Sequence, residues 1–243
     1  MRKLVVVCSL LLLACGCAHY RTPGGGVSIP AITDSKIADA LARQPAAQFP
    51  AHVIVARVQA AQYASYSSTG YGTGAYSVLT TRDIETDDDF AQLASLPGIA
   101  AVGAVNRILL PMNLRSAQEL REAAAQLRGD IVLLYTLNTA FHTESQLVGP
   151  LQLVTLGIFA SEKSRIVTTC AAAFIDVRTG YVYAVAEGTA TVTRRSSPWT
   201  TEAAIDAARM KNEREAFSGA LKEVAKAWTS INAEYNRTTA ALR

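Results

Sequence analysis

The sequence contains little of what metal and acid–base chemistry most often require. It has three histidines and four cysteines in 243 residues. His19, His52 and His142 have none of the spacings typical of a zinc site, and no cysteine pair has metal-ligand spacing. Neither a Gly-x-Ser-x-Gly nucleophile motif nor a phosphate-binding Walker loop occurs. We therefore expect no metal and no cofactor, and we assign no catalytic residue.

The charge is also nearly balanced. The formal net charge is +3, and it falls to +1 if Arg2 and Lys3 are removed with the N-terminal segment described next. The chain has no cluster of lysine and arginine that would neutralise a phosphate backbone, so nucleic acid is not an expected partner. Half of the residues are hydrophobic, which is enough to build a globular core.

The first fourteen residues have the pattern of a secretory signal peptide. Arg2 and Lys3 precede an apolar stretch over residues 4–14, which Cys8 and Ser9 alone interrupt. A basic start followed by an apolar stretch of about 7–15 residues is typical of a cleavable export signal. The stretch is shorter than the roughly 20 apolar residues that a transmembrane helix needs. We predict that residues 1–14 are removed.

The end of this segment resembles the bacterial lipobox. Leu12 matches the aliphatic residue at −3, Ala14 the small residue at −1, and Cys15 the cysteine that receives a diacylglyceryl group. Cys17 is a poorer acceptor because Ala14 is its −3 residue. The resemblance implies an anchor of two or three acyl chains on Cys15, which holds a protein stably at a membrane. The alternative is an ordinary signal peptide with chance cysteines.

Residues 16–33 indicate to which membrane the protein is delivered and where its folded domain begins. Gly16, rather than an aspartate, follows the acceptor, and by resemblance to enterobacterial sorting rules this favours the periplasmic face of the outer membrane over the inner membrane. Three glycines and two prolines within residues 18–33 exclude a regular element. We predict a lipidated flexible tether over residues 15–33 and a single domain over residues 34–243.

The domain is predicted to have an α/β (α+β) fold with a single mixed sheet, flanking helices and a long C-terminal amphipathic helix. Helices are predicted at residues 34–43, from Thr86 to Leu96, from Ser116 to Gly129 and over about 201–235. Strands are predicted at residues 52–58, 78–81, 99–105, 108–110 and 131–137, with a loop over 138–149 and an apolar stretch over 151–159. The clearest hairpin joins residues 165–177 to residues 181–193 through a turn at residues 178–180. Its second arm alternates, with Val182, Ala184, Ala186, Ala190 and Val192 on the buried face and Tyr181 and Tyr183 on the other.

Two features allow alternatives. Asp87, Asp88 and Asp89 after Thr86 fit a helix start, where carboxylates suit the positive end of the helix dipole. They do not fit a calcium loop, which needs periodic oxygen ligands and a central glycine. Cys170 is expected to be a small buried hydrophobe, and the alternative is a disulfide with Cys17.

The order of elements resembles that of known envelope lipoproteins. An alanine-rich helix and strand over residues 123–137 and the hairpin turn over residues 176–183 are similar to parts of the curli-secretion lipoprotein and of the N-terminal domain of the Tol-system periplasmic protein. A closer resemblance, over roughly residues 50–225, is to rhombotarget lipoproteins. Those often end in a sorting tail that is glycine-rich, hydrophobic and basic, whereas residues 239–243 here read TAALR. The resemblance implies an envelope location, and it implies neither a defined reaction nor processing by a rhomboid-type protease.

The most distinctive segment is residues 62–77, where tyrosines alternate with glycine and serine. Tyrosine offers a large contact area at low entropic cost, and serine and glycine adapt to a partner, as in evolved binding loops. We predict that this segment contacts a protein partner or a glycan; the alternative is a solvated or self-packed loop. The four tyrosines concerned are Tyr63, Tyr66, Tyr71 and Tyr76.

These patterns together favour a membrane-anchored lipoprotein that has no catalytic role and binds or assembles with an envelope protein. The alternatives are a lipid-tethered envelope hydrolase and a small-ligand carrier. A buried, hydrogen-bonded set of serine, histidine and acidic residues in a cleft would favour the hydrolase, and a large apolar cavity would favour the carrier. A continuous exposed apolar patch or a long uncovered strand edge would favour assembly, and the tyrosine-bearing face of the 181–193 strand is one place to look.

Overall fold

A computed structural model describes residues 25–26, 37–144, 162–196 and 201–241 of the chain. The predicted signal peptide, most of the predicted tether and the 151–159 stretch lie outside the described residues. The helices are α1 (Ile37–Ala42), α2 (Asp87–Ala94), α3 (Ala117–Gln126) and α4 (Glu202–Ala241). The strands are β1 (Ala51–Ala60), β2 (Thr73–Gly74), β3 (Tyr76–Leu79), β4 (Ile99–Ala104), β5 (Asn113–Leu114), β6 (Ile131–Glu144), β7 (Glu162–Asp176) and β8 (Val182–Ser196).

Six strands form one mixed sheet, and the predicted fold class is confirmed. The order is β3-β1-β6-β7-β8, and β4 shares with β3 the same edge of β1. β1 runs parallel to β4 and β6 and antiparallel to β3. β6, β7 and β8 form a long antiparallel meander. The two short strands β2 and β5 pair separately.

The central strands are buried on both faces, as their near-continuous apolar sequences predict. On β1, Val53 and Val55 belong to the core on one face of the sheet, while Ile54 and Ala56 belong to the core on the other. α2 and α4 cover the first face, and α3 covers part of the second. The α4 residues in the first core form the predicted apolar stripe: Phe217, Leu221, Val224, Trp228 and Ile231.

Helix starts were predicted well because capping is local. Ser116 and Glu119 form a capping box at the start of α3, and Thr86 and Asp89 form one at the start of α2. Asp89 also binds Arg214 of α4 through both carboxylate oxygens, so this aspartate joins two helices. The aspartates therefore begin a helix, as expected.

Two local predictions were wrong. Residues 107–109 form a short 3-10 helix instead of a strand, because the Asn106 side chain accepts a hydrogen bond from the Ile108 backbone N–H (3.1 Å) and turns the chain. Residues 138–144 continue β6 instead of forming a loop, because β7 pairs with β6 as far as Glu144. Polar side chains on this part of the strand misled the prediction; the rest of the predicted loop lies outside the described residues.

The β7–β8 hairpin is confirmed, but at the start of β8 the side chains of Val182 and Tyr183 lie on the faces opposite to those predicted. The register shifts between Phe174 and Ile175 of β7, so Tyr183 packs against the core and Val182 is exposed. The Tyr183 hydroxyl donates to Asp176 (2.8 Å). Beyond this bulge the predicted alternation holds as far as Val192.

Cys170 lies fully buried on β7 and has a free thiol. Burial raises the pKa of this thiol to about 12, which keeps it protonated and unreactive. It packs as the small hydrophobe that was expected. Cys17 lies outside the described residues.

Candidate functional site

The segment from the end of β1 to the start of β3 holds the four tyrosines predicted to contact a partner, and they differ in burial. Tyr76 is fully buried and its hydroxyl donates to the Ser116 carbonyl (2.8 Å). Tyr63 is also buried, and its hydroxyl accepts a hydrogen bond from Arg209 (3.3 Å). These two residues are core residues, and the partner-contact prediction is corrected for both.

The other two tyrosines are more accessible. Tyr71 is partly buried and donates to the Leu110 carbonyl (3.2 Å). Tyr66 is 63% exposed, so of the four it alone presents most of its ring to solvent. The sequence pattern did not distinguish them, because burial depends on how the segment folds back onto β1 and α4.

Serines in the same segment fasten it to charged residues beneath. The Ser67 hydroxyl donates to Asp206 of α4 (2.6 Å), and the Ser68 hydroxyl donates to Asp83 (2.7 Å). Arg209 donates to Ser65 (3.3 Å). The segment is therefore packed against the protein by specific hydrogen bonds, which is closer to the self-packed alternative than to a free binding loop.

These contacts belong to a buried ionic cluster between β1 and α4, which we define as Arg57, Asp83, Asp206, Arg209 and Glu213. Arg209 donates to Asp206 (2.8 Å) and to Glu213 (2.5 Å), at helical spacings of three and four. Arg57 donates to Asp83 and lies 3.3 Å from Glu213. Burial opposes the charge on Arg57, yet the surrounding acidic groups raise its pKa and keep the guanidinium charged.

A polar row continues the cluster along the sheet. Glu213 accepts a hydrogen bond from Thr139 of β6 (2.9 Å), which contacts Thr168 of β7 (3.0 Å). Asn212 donates to the same Thr168 (2.8 Å). In the part of the chain that the structure describes, Nε of Arg57 and Oδ1 of Asn212 have no hydrogen-bond partner. The helical spacing of Asp206, Arg209 and Glu213 was visible in the sequence; that this face is buried was not.

Ser67 and Ser68 donate to carboxylates of the cluster, but the three roles of a catalytic triad are not filled. A triad needs an imidazole between the hydroxyl and the acid. His52 and His142 are exposed on β1 and β6, and neither is among the partners of Ser67, which are Asp206, Arg209 and Met210. The arrangement neutralises the buried charges of the cluster and holds the 62–77 segment against α4.

The described ranges contain no candidate metal group and one shallow depression that bears on function. These contain no group of three or more His, Cys, Asp or Glu side chains placed to hold a metal ion. A depression of about 440 Å³ that opens to solvent lies beside β4, between Arg82, Phe90 and residues 102–106. Arg82 stacks over Phe90 (5.2 Å) and pairs with Asp87 (2.8 Å).

Another feature of the described residues is the outer edge of β8. β8 is fifteen residues long and pairs with β7 on one side; among the described residues no strand pairs with its other side. α4 packs on one face of β8. The opposite face is exposed at alternate positions: Val185, Glu187, Thr189, Thr191 and Thr193.

This exposed face continues across β7 and β6, and we call it the open face. Thr189 is opposite Thr169 of β7, which is opposite Asn138 of β6. The described part of the tether lies here. The carbonyl of Gly25 accepts a hydrogen bond from Ala60 (3.3 Å), and a Cβ atom on Gly25 would lie 3.2 Å from Asn138.

None of the helices in the described part of the chain is both long enough and apolar enough to span a membrane. α4 is long, but its exposed face carries charged residues, among them Lys211, Glu215 and Lys222.

No protein-family model and no curated protein matches the chain. Among solved structures, it is similar to the PelC dodecamer from Paraburkholderia phytofirmans at 14% identity, over 72% of this chain and 93% of that one, with a TM-score of 0.25. Lipoprotein GNA1162 from Neisseria meningitidis is 12% identical over 67% and 96%, with a TM-score of 0.31. Protein XCC0632 from Xanthomonas campestris is 15% identical over 85% and 97%, also with a TM-score of 0.31. At these TM-scores none of the three likenesses establishes the function of this chain.

Proposed function

We propose that this chain is a lipoprotein of the bacterial cell envelope, anchored through acyl groups on Cys15 at the periplasmic face of the outer membrane, which binds or assembles with protein. The single observation that carries the binding role is the accessible edge of β8. Such an edge presents a row of backbone N–H and C=O groups that another strand can satisfy. The resemblance to rhombotarget and curli-secretion lipoproteins remains part of this proposal.

The geometry of the described residues supports binding over catalysis. The carboxylates and Arg209 of the buried ionic cluster bind serine hydroxyls of the 62–77 segment and hold it in place, and the depression beside β4 opens to solvent. The β8 edge and the exposed Tyr66 ring instead offer accessible contact area. Both fit a protein surface better than they fit a small substrate.

Photocrosslinking in cells tests the binding role. A photoreactive residue is placed at Val185 on the β8 edge, at Tyr66 in the 62–77 segment, or at the exposed Lys222 of α4 as the control. We expect a discrete, saturable adduct from Val185, and a weaker one or none from Lys222. If Val185 and Tyr66 both give no adduct above that of Lys222, the binding proposal is wrong.

The anchor is tested separately. Cys15→Ala is expected to abolish incorporation of a labelled fatty acid and to move the protein out of the membrane fraction. Cys17→Ala is the matched control and should keep both the label and the membrane association. Label that persists in Cys15→Ala and is lost in Cys17→Ala would assign the anchor to Cys17.

A further inference from the structure

The edge of β8 lacks several of the features that usually keep an edge strand from pairing, although it carries three charged residues, Glu187, Arg194 and Arg195. Natural edges are blunted by short length, proline, lysine or a bulge. β8 has fifteen residues and neither proline nor lysine, and its one register shift lies at its start, opposite the Phe174–Ile175 step of β7. From Ala184 onwards β8 is therefore a regular template for an added strand.

When two copies of β8 lie antiparallel, the sequence places residues of opposite charge opposite each other. Glu187 and Arg195 are both four residues from Thr191, on opposite sides. In an antiparallel pair centred on Thr191, position 187 of one copy is opposite position 195 of the other, and this acid–base pair occurs twice. The same register places Thr189 opposite Thr193. Opposite charges and paired threonines directly across an antiparallel ladder are both stabilising.

The tether limits how two anchored copies can meet. Thr136, Ala171 and Glu187 are opposite one another across β6, β7 and β8, so they share one face of the sheet. A Cβ atom on Gly26 would lie 2.9 Å from the Thr136 hydroxyl, which places the tether against that same open face. Cys15 is ten residues before Gly25, so the anchor lies within about 35 Å of this face along the chain.

An antiparallel pairing of two β8 strands is consistent with this limit. Its two-fold axis is perpendicular to the sheet, so the open faces of both copies, and both tethers, lie on the same side of the joined sheet. A parallel pairing of the same two edges has its axis along the strands and places the tethers on opposite sides. Two chains anchored in one membrane can therefore pair in the antiparallel way.

We propose that the β8 edge binds a second copy of this chain, antiparallel and centred on Thr191, so that the two sheets join into one across the interface. This inference rests on the proposed protein-binding function and names its partner. The interface is isologous, because the same surface of each copy meets itself. Residues 186–196 of each copy overlap, and each Glu187 meets position 195 of the other copy.

Cysteine crosslinking of the full lipidated chain tests the register. In a Cys17→Ser background, Thr191→Cys is opposite itself and is expected to form a disulfide-linked dimer in the envelope under mild oxidation. Directly opposite strand residues have Cβ atoms about 4.5–5.5 Å apart, close to disulfide geometry. Thr193→Cys is the matched control on the same face: alone it is opposite Thr189 and should not crosslink, whereas Thr189→Cys with Thr193→Cys should.

A charge reversal tests the pairing without a covalent bond. Glu187→Arg places two basic residues opposite each other at both ends of the interface, and we expect the dimer dissociation constant to rise at least about tenfold. Arg195→Glu should weaken the dimer similarly, and the double variant should restore it. The readout is the mass of the protein–detergent particle, with circular dichroism to show that each variant is folded.

The outcomes separate this inference from the binding proposal on which it rests. A Thr191 dimer together with charge-reversal rescue supports self-pairing. A monomer that forms no Thr191 dimer, but is crosslinked from Val185 to a different envelope protein, overturns self-pairing and leaves the binding function standing. A monomer that gives no adduct at all overturns both.

Discussion

Gly188 on β8 packs directly against the backbone of Ala220 on α4. A Cβ atom at Gly188 would lie 2.8 Å from the Cα of Ala220 and 2.7 Å from the carbonyl oxygen of Ala216. The helix thus approaches the strand more closely than any residue with a side chain permits, and this contact fixes α4 over one face of β8.

Substitution at this contact should be destabilising. Gly188→Ala forces α4 away from the sheet, and we expect a loss of about 1–3 kcal/mol in the free energy of unfolding. Gly219→Ala is the matched control, because its Cβ would meet only the Cα of Gly188 at 3.9 Å. Since alanine favours a helix interior over glycine by about 1 kcal/mol, Gly219→Ala should be neutral or stabilising. Urea unfolding measures both; equal effects would contradict the close approach.

Glu213 should be the most sensitive acidic residue of the ionic cluster. Glu213→Ala removes an acceptor that Arg57 and Arg209 share. Each guanidinium keeps one aspartate partner but loses a buried hydrogen bond, so the expected cost is about 1–3 kcal/mol. Glu223→Ala breaks the exposed pair with Lys226 and should cost less than about 1 kcal/mol. Comparable losses for the two variants would show that the cluster is not buried as described.

The hydrogen bonds to Asp176 predict how the free energy of unfolding depends on pH. Burial raises the pKa of this carboxyl, but hydrogen bonds from the Thr179 and Ala46 backbones, the Tyr183 hydroxyl and the Arg178 backbone outweigh burial and lower it. The unfolded chain then takes up a proton first, at a pKa of about 3.9. The contribution of Asp176 is therefore complete above about pH 5 and is lost as pH falls through the lower pKa of the folded state.

The measurement is the free energy of unfolding from pH 7 to pH 2 for the wild type and Asp176→Asn. The difference between them should stay constant above about pH 5 and narrow below about pH 4. Asp39→Asn, on the exposed side of α1, controls for the loss of one charge and should change stability by less than about 0.5 kcal/mol. If the difference in unfolding free energy between the wild type and Asp176→Asn widens in acid, folding raises the pKa of Asp176 and the prediction is wrong.

The two classes of tyrosine should respond differently to substitution. Tyr76→Phe removes the buried hydroxyl that donates to the Ser116 carbonyl and is expected to cost about 1 kcal/mol. Tyr66→Ser removes an exposed ring and should leave the unfolding free energy within about 0.5 kcal/mol of wild type. Loss of a photocrosslinked partner in Tyr66→Ser without loss of stability would assign that residue to binding. A stability loss in Tyr66→Ser would show that its ring is packed.

Features that depend on neighbouring residues were predictable from the sequence. The capping boxes at Thr86 and Ser116 fix where α2 and α3 begin, because the bonds span only three residues. The turn at residues 178–180 and the apolar stripe of α4 are likewise local patterns. The mixed α/β fold class followed from these elements and from the continuous apolar sequence of β6.

Features that depend on distant residues were not predictable. Asn138 looked like the start of a loop, yet it continues β6 because Thr169 of β7 pairs with it. Tyr63 and Tyr66 have similar neighbours in the sequence. Tyr63 is nevertheless buried, and its hydroxyl is bound by Arg209, which lies 146 residues away along the chain. Tyr66 is exposed. A local pattern cannot specify which side chains a fold brings together.

From the sequence by itself we predict the export signal and the lipidation motif at Cys15, and both stay predictions. The sequence also determined the order of most helices and strands, because each is encoded by adjacent residues or by a fixed period. Only the tertiary structure decided which strand would be the accessible edge, which tyrosines would be buried, and that Arg57 of β1 and Glu213 of α4 would share one buried cluster. The physical reason is that strand pairing and burial are set by contacts between residues far apart in the chain, whose favourable energy appears only when the whole sheet and α4 are assembled.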